Sequence, residues 1–312
     1  MRTAKSYPNA SDQAIPVGPA TSTFRRAIPY LALLAGMTCL AAGGIFVRLS
    51  EVGPISTAFY RIAFSVPVAV LLIQLTSDKI TTKDKFRPPR RRDLFFLGLA
   101  GGALAADLIL WHISFFHTTI ANANLLANMV PFIIIPYTFW IVKEKPTKRF
   151  VFAFIVVCTG LGILVAGKAT LSVENVLGDG LALATAVFYG IYLIFVSRYR
   201  RDYSAMEVIL WSSYGSLACL LPAALFFENG LLPTSMFGLL ILFGVACVSH
   251  VGGQGLIAVS LGEIPLRVSA LIVLMQPIIA GGISFLVFGE AMTLIENIGF
   301  VVILSGIYIA KT

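Results

Sequence analysis

The sequence predicts an all-α integral membrane protein: ten transmembrane helices built as two inverted five-helix repeats. Three observations predict it: a scarcity of charge, apolar runs of membrane-crossing length, and one pattern of Pro, Glu and Gly that recurs at a constant offset. Charged residues are 12% of the chain and hydrophobic ones 58%, whereas a soluble domain carries roughly 25% charged residues. The apolar runs are about 20 residues long, enough for a helix to cross the hydrocarbon core. No long charged or amphipathic stretch is present to solvate a soluble enzyme.

Residues 1–27 are polar and rich in Pro, Ser and Ala, and lack the apolar core and cleavage pattern of a signal peptide. They read as a disordered cytoplasmic tail. Spans follow near 28–48, 54–76, 93–117, 119–142, 148–166, 179–198, 205–227, 235–260, 265–288 and 292–311. The third and fourth join through almost no loop, at His117-Thr118-Thr119. Residues 28–167 form the first repeat and 168–312 the second.

The net charge of +8 does not point to nucleic acid, because the basic residues sit between the apolar runs and report topology. SDKITTKDKFRPPRRR between spans two and three is strongly basic. So are the turns around Lys143, Lys145, Lys148 and Arg149, and around Arg198, Arg200 and Arg201. The alternate loops, EVGP, HTT, KATLSVENVLGDG and FENGLLP, are poor in base. Every basic loop falls on the side of both termini, which makes both termini cytoplasmic in a multi-pass membrane protein. Cys39, Cys158, Cys219 and Cys247 lie inside apolar runs without metal-ligand spacing and read as packing residues.

The recurring pattern pairs Pro131 of MVPFII with Pro277 of MQPIIA, Glu144 of VKEK with Glu290 of FGEA, and Gly160 of CTGLG with Gly306 of LSGIY, all at one offset. Gly98 with Gly244 and Gly44 with Gly190 keep the same register. A unit of five spans is odd, so the second copy enters the membrane upside down. Inverted repeats are characteristic of alternating-access transporters.

ANANLLANMVPFIIIPYTFWIVKEKP and its echo SALIVLMQPIIAGGISFLVFGEA resemble the EamA-type repeat of the drug/metabolite transporter superfamily, as does FYRIAFSVP around Arg61. The resemblance covers Tyr30 to Lys311. One departure is Lys143-Glu144, where the family often shows Gly-Glu. The resemblance implies ten spans, a central cavity lined by spans one, three, four, six, eight and nine, and secondary transport of small metabolites. Bacterial members include amino-acid exporters, notably for aromatic amino acids.

Ionisable and amide side chains deep in a span are costly and mark candidate sites. Asp107 falls near the middle of span three, with Trp111 and Ser114 at i+4 and i+7 on its face. An acid beside an aromatic ring and a hydroxyl suits an ammonium group or a proton; a hydrogen bond between helices is the alternative. Asn124, Asn128 and Pro131 fall at i, i+4 and i+7, and Pro131 frees a carbonyl near residue 127. That face either binds a polar headgroup or joins helices. Gln254 follows His250 at i+4 in span eight, and Gln276 precedes Pro277. Tyr137, Tyr189 and Tyr192, with Trp111, offer surfaces for an apolar or aromatic body. Asp107, His112 and His250 are the candidates for ion coupling. Arg61, near the outer end of span two, either fixes helix packing or attracts a carboxylate. Glu144 and Glu290 end their spans at turns and read as structural.

No HExxH, GxSxG or Walker motif is present, and Gly98xxxGly102 is a packing motif. No catalytic residue, metal or cofactor is therefore expected, and transport would run on a gradient. The partners expected are a small-molecule substrate and the lipid bilayer, with no nucleic acid; the oligomeric state is open. The sequence favours an exporter of a small amphipathic metabolite, most of all an amino acid. An organic-cation or drug carrier is the alternative, and an intramembrane enzyme a remote one.

Overall fold

The computed structural model describes residues 23–77, 88–114, 116–118, 120–168, 176–228, 230–288 and 293–311. Residues 1–22, and with them nearly all of the expected tail, lie outside the described residues, as does Glu290. Ten helical units follow among the described residues. They are α1 (Thr23–Leu49), α2 (Pro54–Ser77), α3 (Arg91–Ser114), α4 (120–141, in pieces), α5 (Lys148–Lys168), α6 (Val176–Tyr199), α7 (Ala205–Phe227), α8 (Met236–Leu261), α9 (266–288, in two pieces) and α10 (Leu294–Lys311). Six of them, α1, α2, α3, α6, α7 and α8, are long and apolar enough by length and composition to cross a membrane.

Local chemistry sets the helix starts. α2 opens on Pro54, whose missing N–H is one the first turn leaves unpaired in any case. The next two amides, of Ile55 and Ser56, donate to the Glu228 carboxylate at 2.7 and 2.8 Å. α7 starts with a capping box: the Glu207 amide donates to Ser204 Oγ at 3.2 Å, and the Ser204 amide donates to Glu207 Oε2 at 2.8 Å. At α8, Ser235 caps the Gly238 amide. Glu51 in turn accepts from the amides of Thr234 and Ser235, both at 3.0 Å, and from both hydroxyls.

α4 and α9 differ from the continuous spans expected. α4 runs Ile120–Ala127, breaks, and restarts at Pro131; α9 runs Leu266–Val273, breaks, and restarts at Gln276. At each break the chain tightens into i→i−3 bonds: Asn128 and Met129 to Leu125 and Leu126, and Leu274 and Met275 to Leu271 and Ile272. The two breaks keep the constant offset of the prolines. Pro131 therefore starts a new helix segment rather than bending one, so the expected common face of Asn124, Asn128 and Pro131 does not extend through it. α4 then widens into a π-helical turn, Tyr137–Ile141. It ends at Lys143, whose φ of 59° is left-handed, a conformation that favours glycine. The second copy of the pattern has Gly289 at the matching offset.

Close helix contacts run along glycines. Gly160 of α5 faces Gly299 and Ile303 of α10, and Gly306 of α10 faces Ala153 and Val157 of α5, so the contacts are reciprocal. Between α3 and α7, Gly101 meets the backbone of Ser212 and Gly215 meets that of Gly98. Of the expected Gly98xxxGly102 motif, Gly98 meets the α7 backbone at Gly215 and Gly102 meets only the Cys219 side chain of α7, so Gly101 makes the closer approach. α3 packs on α6 and α7, α8 on α1 and α2, and α5 on α10.

Candidate functional site

Charged and amide side chains converge inside the bundle from α2, α3, α6 and α8. Arg61 and Asp107 are both buried, each 9% exposed. Arg61 interacts electrostatically with Asp107, His112, Tyr189, Tyr192 and His250, so these six side chains share one neighbourhood. Arg61 is thus an interior residue, whereas the sequence reading put it near the outer end of its span. Seven residues separate it from Pro54, about 10 Å along the helix. Asp107 also moves from its expected depth. α3 ends at Ser114 and not near 117, so Asp107 lies seven residues from that end, level with Arg61.

On α6, Tyr189 and Tyr192 stack with ring centroids 6.0 Å apart. Gln254 Nε2 donates to the Tyr189 hydroxyl at 3.4 Å, and Gln254 Oε1 is enclosed without a donor. His250 and Gln254 belong to a π-helical stretch, Val245–Gln254, inside α8. Such widened turns recur at functional sites, and here they alter the α-helical register from which the i, i+4 pair was read. Ser213 of α7 donates to the Ile209 carbonyl at 2.8 Å, so its oxygen is left to accept from His250 Nε2 at 3.2 Å. This assigns the Nε2–H tautomer and leaves His250 Nδ1 as a buried acceptor without a donor.

The remaining expected residues are spread more widely. Trp111 is half-buried, its ring 5.0 Å from that of His112. Ser114 spends its hydroxyl on the Trp111 carbonyl at 2.6 Å and does not join Asp107. Asn128 is buried at the break in α4, Tyr137 is half-buried in the π turn, and Gln276 is half-buried at the restart of α9. The side chain of Asn124 lies outside the described residues. Sequence reasoning weighed Arg61 as a packing residue or a carboxylate partner but did not bring it beside Asp107, and it passed over the serines of α7. Ser212, Ser213 and Ser216 within one apolar span were the available signal.

A cavity of about 380 Å³ opens where α2 begins and where α3 and α7 end, bordered by Pro54, His112, Phe116, Phe227 and Glu228. His112 lies between this cavity and the charged interior. Apolar helices closing over polar and charged side chains fit a polytopic membrane protein.

The model of the EamA-like transporter family matches the chain twice, over residues 27–166 and 176–312. The chain belongs to that family, within the drug/metabolite transporter superfamily. An uncharacterized transporter of Archaeoglobus fulgidus is 24% identical over 203 residues, 62% of this chain and 67% of the relative. A crystal structure superimposes with a TM-score of 0.74 at 16% identity, covering 92% of this chain and 98% of the other. That likeness carries the fold.

Proposed function

We propose that the protein is a secondary transporter that exports a small amphipathic metabolite, most of all an amino acid, across a bacterial inner membrane, with both termini cytoplasmic. Residues 28–167 and 168–312 are the inverted halves, and their rocking exposes the interior site to each side in turn. The doubled family match, the paired breaks at Pro131 and Pro277 and the reciprocal Gly160 and Gly306 contacts support two related halves. Membership of a transporter family supports transport over catalysis.

The observation that carries the reading is Asp107. It is a buried carboxylate without a hydrogen bond or ion pair among the described residues, in the neighbourhood of the Tyr189–Tyr192 stack. A charge in that position is costly unless a ligand or ion meets it. Purified protein in proteoliposomes should exchange at least one radiolabelled amino acid, and Asp107→Asn should abolish exchange or uncouple it from the proton gradient. Wild-type rates for Asp107→Asn at every pH would refute the reading.

A further inference from the structure

The interior holds two groups of opposite formal charge that do not pair directly. Arg61 and Asp107 interact electrostatically. Yet the guanidinium and carboxylate stand farther apart than the 4.0 Å of an ion pair, and neither makes a hydrogen bond among the described residues. Arg61 Nε is fully enclosed and has no acceptor.

Such an arrangement is unsatisfied as it stands. A guanidinium presents five N–H donors in a fixed fork, and a carboxylate presents about four lone-pair sites. Burial leaves little room for the water that would fill them, and Coulomb attraction across a gap does not replace short charge-assisted bonds. A guest that carries one charge completes only half of this site. A guest that carries both completes all of it.

We propose that Arg61 and Asp107 are the two poles of one binding site and take, respectively, the carboxylate and the ammonium of an α-amino acid. This deepens the amino-acid reading above and rests on it. The guanidinium fork matches a carboxylate with two parallel N–H···O bonds. The ammonium has three donors: Asp107 accepts from it, and Gln254 Oε1 is a further acceptor without a donor. Tyr189 and Tyr192 remain for the substrate's body.

Charge balance supplies the specificity. With Asp107 ionised the empty pair is neutral, and a zwitterion leaves it neutral. An amine without a carboxylate adds a positive charge and leaves Arg61 unmet, which disfavours organic cations. A carboxylate or phosphate monoester without an amine meets Arg61 but is repelled by Asp107.

Thermal shift on purified protein tests this with the twenty common amino acids. Each that stabilises is compared with its decarboxylated amine, its deaminated acid and its amide; for phenylalanine these are 2-phenylethylamine, 3-phenylpropionate and phenylalaninamide. At least one amino acid should bind, and all three analogues should bind at least about 100-fold more weakly, because each leaves a buried charge unpaired. Arg61→Gln should lose the amino acid and keep or gain the amine. Asp107→Asn should lose the amino acid and keep or gain the deaminated acid. Arg61→Lys preserves the pole, should retain measurable amino-acid binding, and checks that the fold tolerates change at this position.

Three outcomes overturn the inference. Amine or amide bound by wild type within about threefold of the amino acid shows a one-pole site, and the inference falls while transport stands. Equal loss of amino acid and amine in Arg61→Gln, with a normal size-exclusion profile, makes Arg61 a packing residue. Binding of no amino acid at all overturns the amino-acid reading and this inference together.

Discussion

α3 carries Asp107, and a single methyl group tests how tightly its seam with α7 is closed. A Cβ at Gly101 would stand 1.8 Å from the Ser212 carbonyl oxygen and 2.7 Å from the Ser216 amide. Both are backbone atoms and cannot rotate aside. Restoring an ordinary contact requires the two helices to part locally by about 1.5 Å, a typical overpacking displacement. The bond from Ser216 Oγ to the Gly101 carbonyl, 2.8 Å long, would then open. Overpacking costs about 1–3 kcal/mol and the lost bond about 1 kcal/mol. Gly101→Ala should therefore destabilise by about 2–4 kcal/mol, roughly a 3–6 °C lower melting temperature in detergent. Gly102→Ala is the matched control, because its Cβ would meet only Cys219 Sγ, at 3.8 Å. If both variants melt within about 1 °C of each other, the seam is not closed at Gly101 and the reasoning fails.

Two further substitutions read the loops. Lys143 holds a left-handed backbone at φ 59°, so Lys143→Gly relieves strain; it should raise the melting temperature by about 1–3 °C, and an unchanged or lower value would contradict the assignment. Hydrogen bonds from the hydroxyls of Ser235 and Thr234, followed by their amides, hold the Glu51 carboxyl below its ordinary 4.5. A lowered folded value gives stability that is present above 4.5 and lost as the pH falls through the folded value. The melting-temperature gap between wild type and Glu51→Gln should thus be full at pH 7 and close in more acid buffer. A gap that stays constant would show that ionisation of Glu51 contributes nothing.

Much of the fold was legible because apolar length acts locally. The starts of α2 at Pro54, α5 at Lys148 and α7 at Ala205 coincide with the boundaries read from the sequence. The breaks were half legible. Pro131 and Pro277 marked their positions, but a count of i, i+4 and i+7 assumes an unbroken helix, and Asn128 lies at the end of one segment. Arg61 shows a different limit. Its depth follows from counting, but its neighbours do not. Periodicity within α2 cannot say that α3 brings Asp107 level with it, and an arginine a third of the way along a span reads equally well as an anchor. Glu51 and Glu228 were counted only as members of base-poor loops. The helix starts they cap are more than a hundred residues away in sequence, beyond any local motif.

Those two carboxylates bear on how the halves would move. Glu228 lies in the second half and caps α2 of the first; Glu51 lies in the first half and caps α8 of the second. Both act on the face nearer to Arg61 and Asp107, beside the cavity at Pro54 and His112. The opposite face is also tied across the halves, by the Glu144–Arg267 ion pair and by the Tyr203 hydroxyl donating to Asp93 at 2.9 Å. If the halves rock, opening the first face must release both caps and uncover the starts of α2 and α8. A charged cap on two amides is worth about 1–2 kcal/mol, the amount for Glu228. Driving a two-state equilibrium from 1:99 to 99:1 needs about 5.5 kcal/mol of differential binding. One such cap is well within that range, and a substrate that pairs two otherwise unmet buried charges can supply a difference of this size. If the halves rock, the Glu228 cap by itself is weak enough for a ligand to release.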